Sequence, residues 1–283
     1  MSDVKSIEKY LDQYQQLRKE IAKVIVGQEA VIEQILISIF SGGHVLLIGV
    51  PGLAKTLMVN TIAKALGLDF KRIQFTPDLM PSDILGSEIL DNDRNFKFIK
   101  GPVFSNIVLA DEINRTPPKT QAALLEAMQE RSVTIAGNHY KLEQPYFVLA
   151  TQNPIEQEGT YPLPEAQLDR FMFAINLEYP TFEEEVSVVK QTTSTHSSLV
   201  DVVFDAKAVL EFQSLIRRIP VADNVVEYAV RMISKTRPNT ATASEKIQEF
   251  VSWGAGPRAS QNLILAAKTL SLIHISEPTR HSI

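Results

Sequence analysis

Gly49-Val50-Pro51-Gly52-Leu53-Ala54-Lys55-Thr56 follows an apolar run beginning at His44 and precedes a stretch with helical spacing. Strand, glycine-containing loop and helix in that order suit the phosphate chain of a nucleoside triphosphate. Several negative charges in a small volume call for inward-pointing backbone N–H groups, a helix N-terminus and a cation. Gly49 and Gly52 provide backbone freedom, Lys55 the cation, and Thr56 a hydroxyl for Mg²⁺. The candidate nucleotide-binding set here is Gly49, Pro51, Gly52, Leu53, Ala54, Lys55, Thr56 and Leu57. Ala54 stands where the usual pattern has glycine, so a negative φ is expected there.

A second constellation ends the run 106–112, where Asp111 and Glu112 follow four apolar residues. Ligands of open α/β sheets sit outside the carboxyl ends of strands, which would bring these acids to the same crevice as the loop. Asp111 is then placed to hold the hydration shell of Mg²⁺, and Glu112 to orient and deprotonate a water. The alternative is a solvated strand end or helix cap. A third apolar run ends at Thr151-Gln152-Asn153-Pro154. Asn153 could position the same water, or simply begin a turn.

These residues need a scaffold, and the chain spells one. Helical spacing over 6–22 and 28–40 precedes an alternation of strands at 44–49, 71–76, 107–111, 146–151 and 172–176 with helices at 55–66, 117–131 and 164–170. Apolar runs too continuous for one-sided burial predict a parallel sheet covered on both faces. Beyond Tyr179-Pro180 only amphipathic helices are expected, at 182–192, 205–218, 222–236, 244–253 and 257–272. The expected organisation is thus a nucleotide-binding αβα domain over 1–180 and a smaller helical domain over 181–272.

Composition narrows the classes. The 283 residues hold 28 Lys+Arg against 33 Asp+Glu, a net charge of −5, which disfavours binding to nucleic acid by phosphate neutralisation. Without cysteine there is neither a disulfide framework nor a thiolate metal site. No apolar run reaches the length of a membrane span, and the start lacks a signal-type segment, so a cytoplasmic protein is expected. The five histidines are scattered without ligand spacing, so no metal beyond Mg²⁺ is expected. The sequon Asn114-Arg115-Thr116 is read as coincidence.

Gly49–Thr56, Asp111-Glu112, Asn153, the run 163–171 and Gly256-Pro257-Arg258-Ala259 together resemble, in order and spacing, the MoxR family of AAA+ ATPases. The resemblance spans roughly residues 20–270. It implies a P-loop αβα sandwich around a five-stranded parallel sheet, followed by an all-helical lid. It makes Lys55 and Thr56 the Walker A pair, Asp111 and Glu112 Walker B, Asn153 the sensor-1 residue, Arg170 the arginine finger serving a neighbouring subunit, and Arg258 the sensor-2 arginine of the lid. Val26, Gly27 and Gln28 would lie beside the adenine base. It further implies ATP and Mg²⁺, hexameric rings, and chaperone-like remodelling with partners that carry von Willebrand factor A domains. Without the family, Arg170 reads as a surface arginine paired with Asp169 or Glu165, and Arg258 as a solvated first-turn residue. The lid reading has Arg258 coupling the lid to the γ-phosphate.

Two stretches look inserted. Residues 76–100 interrupt the helix expected after the second strand, and 131–145 alternate around Gly137-Asn138, a hairpin signal. Leu79, Met80 and Tyr140 suggest surfaces that grip a client; plain packing on the sheet is the alternative. Trp253 is expected in the core of the helical domain. The tail 273–283, broken by Pro278, departs from the family pattern and is read as irregular or foreign. Two other functional classes share the same pocket: an ATP-dependent assembly scaffold with little hydrolysis, and a DNA-acting ATPase.

Overall fold

A computed structural model describes residues 3–90, 95–155, 159–193 and 199–274; the expectation for the tail falls almost wholly outside them. Two long helices, α1 (Asp3–Ala22) and α2 (Glu29–Ser41), lead into β1 (His44–Ile48), α3 (Lys55–Ala65) and β2 (Phe70–Gln74). After an inserted helix α4 (Pro81–Leu85) and hairpin β3 (Gly86–Leu90) with β4 (Phe96–Lys100) come β5 (Ile107–Asp111) and α5 (Pro118–Glu130). A second hairpin, β6 (Ser132–Ile135) with β7 (Asn138–Lys141), precedes β8 (Phe147–Gln152), the short α6 (Glu165–Leu168) and β9 (Phe171–Asn176). Five helices follow: α7 (Phe182–Thr192), α8 (Ala206–Arg218), α9 (Asp223–Ser234), α10 (Glu245–Phe250) and α11 (Pro257–Ile273).

The main sheet has five strands in the order β2-β5-β8-β1-β9, all its pairings parallel, as expected. Burial on both faces follows from the period of two along each strand. Val45 and Leu47 of β1 join one apolar cluster with α1, α2 and α3, while Leu46 between them joins another with α5. Ile107 and Leu109 alternate with Val108 and Ala110 in the same way. The first cluster also takes Phe212 and Ile216 of α8 and Leu272 of α11, so packing continues across position 180. Within it Phe212 lies 4.9 Å from Phe40 of α2, ring edge to face.

Helix ends are set by local chemistry. Asp205 caps α8 by accepting from the Ala208 N–H at 2.7 Å, and Thr181 with Glu184 forms a reciprocal capping box at α7. The helix expected over 244–253 ends at Phe250, with Val251 extended. Trp253 is therefore not carried on a helical face and is 78% exposed, which corrects its assignment to the helical core. Asn114 and Thr116 are buried, so the sequon is closed to glycosylation in the folded chain.

Each inserted stretch contains an antiparallel strand pair, preceded in the first by α4. The second turns at Ala136-Gly137, both with positive φ, one residue earlier than the Gly137-Asn138 signal. Phe98 of β4 stacks on Tyr140 of β7 at 4.4 Å, joining the two hairpins. Met80 and Phe96 are exposed beside them.

His44 is a buried structural group. Its Nδ1 accepts from the Val148 N–H at 3.0 Å, and Nε2 lies 3.3 Å from the Met128 carbonyl. Burial, with a smaller contribution from the charge of Arg131, holds its pKa down at about 4. The unfolded chain protonates this imidazole near its ordinary value of 6.5, so between 6.5 and about 4 the unfolded state binds more protons. Stability should be full above pH 6.5 and fall as pH drops toward 4, by at most about 3 kcal/mol from this group. Thermal melts of the parent across that range should slope more steeply than those of His44→Gln.

Candidate functional site at the carboxyl ends of the strands

Lys55 and Thr56 open α3, and the loop before them fills the gap left at the end of β1. Gly49 has to be glycine because a Cβ there would sit 2.8 Å from the Leu177 side chain. Gly52 adopts φ +89° with open space around it. Ala54 takes φ 54° and ψ 23°, the left-handed region, contrary to the negative φ expected from its type. The chain reverses into α3 at this residue, and the turn geometry overrides the alanine preference at a cost of about 1–2 kcal/mol. No side chain caps α3, which leaves its first N–H groups for a ligand.

A cavity of about 460 Å³ stands over this helix start, lined by Pro51, Gly52, Ala54, Lys55, Thr56, Leu57, Arg72, Gln74, Asp111 and Glu112. The loop and the acid pair therefore meet, each delivered by the carboxyl end of a parallel strand. Lys55 Nζ donates to the Gly49 carbonyl at 2.7 Å. Burial pushes its ammonium below the usual lysine range, and the charges of Asp111 and Glu112 pull it back up. Asp111, only 9% exposed, accepts from the Thr151 hydroxyl at 2.6 Å through Oδ1 and from Arg72 Nε and Nη2 at 2.9 and 2.6 Å through Oδ2. Glu112 has φ 58°, anchors its N–H on Thr151 Oγ1 at 2.8 Å, and accepts from Gln74 Nε2 at 2.9 Å and Arg115 Nη1 at 3.2 Å.

This arrangement has close relatives. Residues 44–173 match the ATPase family associated with various cellular activities (AAA). The chain is 46% identical over 261 residues to a Mycobacterium tuberculosis protein named Chaperone MoxR1, covering 90% of this chain and 67% of that one. The chain belongs to the MoxR family of AAA+ ATPases. An uncharacterised Bacillus subtilis protein, YeaC, is 45% identical over 258 residues, 90% of this chain and 78% of its own length. A crystal structure of a candidate ATPase from Cytophaga hutchinsonii superposes with a TM-score of 0.90 at 45% identity, over 97% of this chain and 84% of that one.

Other residues singled out from the sequence lie elsewhere in this MoxR fold. Leu53 is buried in the first apolar cluster and does not line the cavity. Asn153 follows β8 and is 5% exposed; its Oδ1 accepts from the Ile155 N–H at 3.1 Å, and it is not part of the cavity wall. Gly27 lines a separate groove of about 410 Å³ with Arg18, Lys19 and Ile32. Gln28 beside it has a buried Oε1 with no hydrogen-bond partner among the described residues, and Val26 is partly buried.

Arg170 and Arg258 sit together, on a cavity of about 200 Å³ beside Gly42, Gly43 and His44 at the start of β1. Arg170 Nη1 donates to the Leu125 carbonyl at 2.6 Å instead of to Asp169 or Glu165. Arg258 Nη1 reaches the Asp169 carbonyl and carboxylate, both at 3.3 Å. Neither lines the phosphate cavity of its own chain, which lies beyond the other end of β1. Arg258 is thus set apart from the phosphate cavity of its own chain. The cause is the docking of α11 against α2, where the Ser41 and Thr269 hydroxyls meet at 2.8 Å, so the helix start is held at Asp169.

Arg72, Gln74 and Thr151 were not singled out from the sequence. Their signal was available: polar residues at alternating positions of one strand, and a hydroxyl one residue before the end of a buried one. No metal-holding group of His, Cys, Asp and Glu side chains and no helix fit to cross a membrane occur among the described residues.

The backbone at Ala54 gives a stability order. Glycine relieves the left-handed strain but loosens the unfolded chain, which offsets roughly half of the gain. Melting temperatures should run Ala54→Gly at or slightly above the parent, with Ala54→Val lower by several degrees because a β-branched residue tolerates this φ least.

Proposed function

We propose that the chain hydrolyses ATP to ADP and phosphate with Mg²⁺, and that it does so as a homo-oligomeric ring, a hexamer as the family resemblance implies. The observation that carries this is the single cavity lined by Lys55, Thr56, Asp111 and Glu112. Those residues suit a metal-bound triphosphate: uncapped helix N–H groups and an ammonium for the phosphates, a hydroxyl and a carboxylate for the cation. Mg²⁺, held by Thr56 and through water by Asp111, would supply neutralisation of phosphate charge. Lys55 exchanges the Gly49 carbonyl for phosphate oxygens. Glu112 exchanges its Gln74 and Arg115 partners for a water, whose proton it accepts as the oxygen adds to the terminal phosphorus and the bond to ADP breaks. The unpartnered Gln28 Oε1 supports a base-binding role for 26–28, since the adenine amino group is a donor.

The two arginines support assembly. They lie at the amino ends of β1 and β9, and the phosphate cavity lies past the carboxyl end of β1. A five-residue strand rises about 16 Å, so one chain cannot bring these groups together. A head-to-tail contact can, and repeated contacts of that kind close into rings. The relative named a chaperone supports extending the reading to remodelling of client proteins; partners that carry von Willebrand factor A domains are what the family resemblance implies.

Two measurements test this. Glu112→Gln should keep its heat of Mg-ATP binding and lose turnover on the order of 10²-fold or more; an ATP-dependent scaffold would keep its cellular action in that variant. ATP turnover per chain should rise with protein concentration, and Arg170→Ala should remove that rise and lower the rate by about 10³-fold. A flat specific rate, equal in the variant, would point to a self-sufficient monomer.

A further inference from the structure

Both oxygens of the nearly buried Asp111 carboxylate are engaged. Oδ1 accepts from the Thr151 hydroxyl, and Oδ2 takes two donors from one guanidinium, Arg72 Nε at 2.9 Å and Nη2 at 2.6 Å. A carboxylate oxygen offers two lone pairs, so Arg72 alone saturates Oδ2. The same Nη2 donates to Gln74 Oε1, which gives the fork a second anchor on its own strand. Parallel pairing sets this geometry: Gln74 lies opposite Asp111, and Arg72 two residues before it on the same strand.

Asp111 is also the carboxylate proposed above to hold Mg²⁺ through water. That task requires an oxygen with a free lone pair and a negative charge not already balanced. Arg72 removes both at Oδ2. Charge on the cavity wall leads to the same point. Among the described residues its charged groups are Lys55, Arg72, Asp111 and Glu112, two of each sign. A divalent cation arriving alone would leave this neutral wall strongly positive, whereas a triphosphate meets two cations. The side chain of Arg72 is nearly half exposed, so its fork can turn from the acid toward phosphate oxygens without disturbing packed residues.

We infer that Arg72 is a resident counter-cation that competes with the divalent metal for Asp111 Oδ2, so that the site takes metal together with nucleotide and binds metal alone poorly. The inference rests on the proposed Mg-ATP site and adds to it a positioning residue that sets the order of loading. In the empty cavity Arg72 keeps the charge of Asp111 paired. It gives up Oδ2 when phosphate oxygens are present to receive its donors.

Arg72→Gln tests this by binding alone, with Mn²⁺ as the metal probe because paramagnetic resonance reads its free concentration. Without nucleotide the variant should bind Mn²⁺ at least about 10-fold more tightly than the parent, the scale on which one adjacent cation shifts a carboxylate's affinity for a proton. ATP in EDTA, followed by calorimetry, should move the other way and bind roughly 10-fold more weakly, since one charged donor to phosphate is lost. Damage to the fold would weaken both. Arg72→Lys keeps the charge but cannot place two donors on Oδ2, so it should lie between parent and Arg72→Gln in both assays. If Arg72→Gln does not fold, the lysine variant carries the same opposed shifts at smaller size. Equal Mn²⁺ binding by parent and variants overturns the inference, as do shifts of both affinities in one direction, or tight Mn²⁺ binding by the parent without nucleotide. Each of those outcomes leaves the Mg-ATP site standing. A parent that binds neither ATP nor Mn²⁺ with ATP present removes that site, and the inference with it.

Discussion

Five strands run in one direction, so the backbone leaves the sheet along one rim and enters it along the other. Apolar side chains fill both faces, which leaves the rims as the places where polar groups can gather. The division is visible in the residues. Lys55, Thr56, Asp111 and Glu112 gather past the carboxyl ends, and Arg131, Arg170 and Arg258 near the amino ends. Separation of acceptor and donor chemistry within one chain turns association between copies into a requirement of the reaction proposed for it.

On the carboxyl rim, charges are kept in reserve by partners from neighbouring strands. Register places Gln74 opposite Asp111, so β2 presents Arg72 and Gln74 to the two acids. Removing a nearly buried carboxylate such as Asp111 from water without such donors would cost several kcal/mol. Arg72 and Thr151 offset that cost and fix the carboxylate's orientation. Left-handed backbone at Ala54 and Glu112 marks the two points where the chain is bent sharply to bring loop and acid to the cavity.

The strand and helix periodicities, the phosphate loop and the acids after a buried strand were legible because each is written in contiguous residues. So was the hairpin over 131–145, to within one residue of its turn. What escaped depends on pairing between distant segments. Arg72 and Gln74 acquire meaning only when β2 lies beside β5, and no local signal sets that register. The position of Arg258 beside Asp169 follows from packing of α11 on α2 and α8, which apolar spacing alone does not direct. Trp253 was misplaced by three residues of helix that Val251 does not continue. The φ at Ala54 was misjudged from residue preference, where the closing geometry of the loop decided.

The ring stack between Phe98 and Tyr140 ties together two excursions that leave the chain on either side of β5 and α5. Phe104, at 5.6 Å from Phe98 and 6.4 Å from Tyr140, completes the joint close to the base of β5. One hairpin leads into the strand that carries Asp111 and the other into the strand that carries Thr151, so this aromatic joint couples the approaches to two strands that meet at the acid pair.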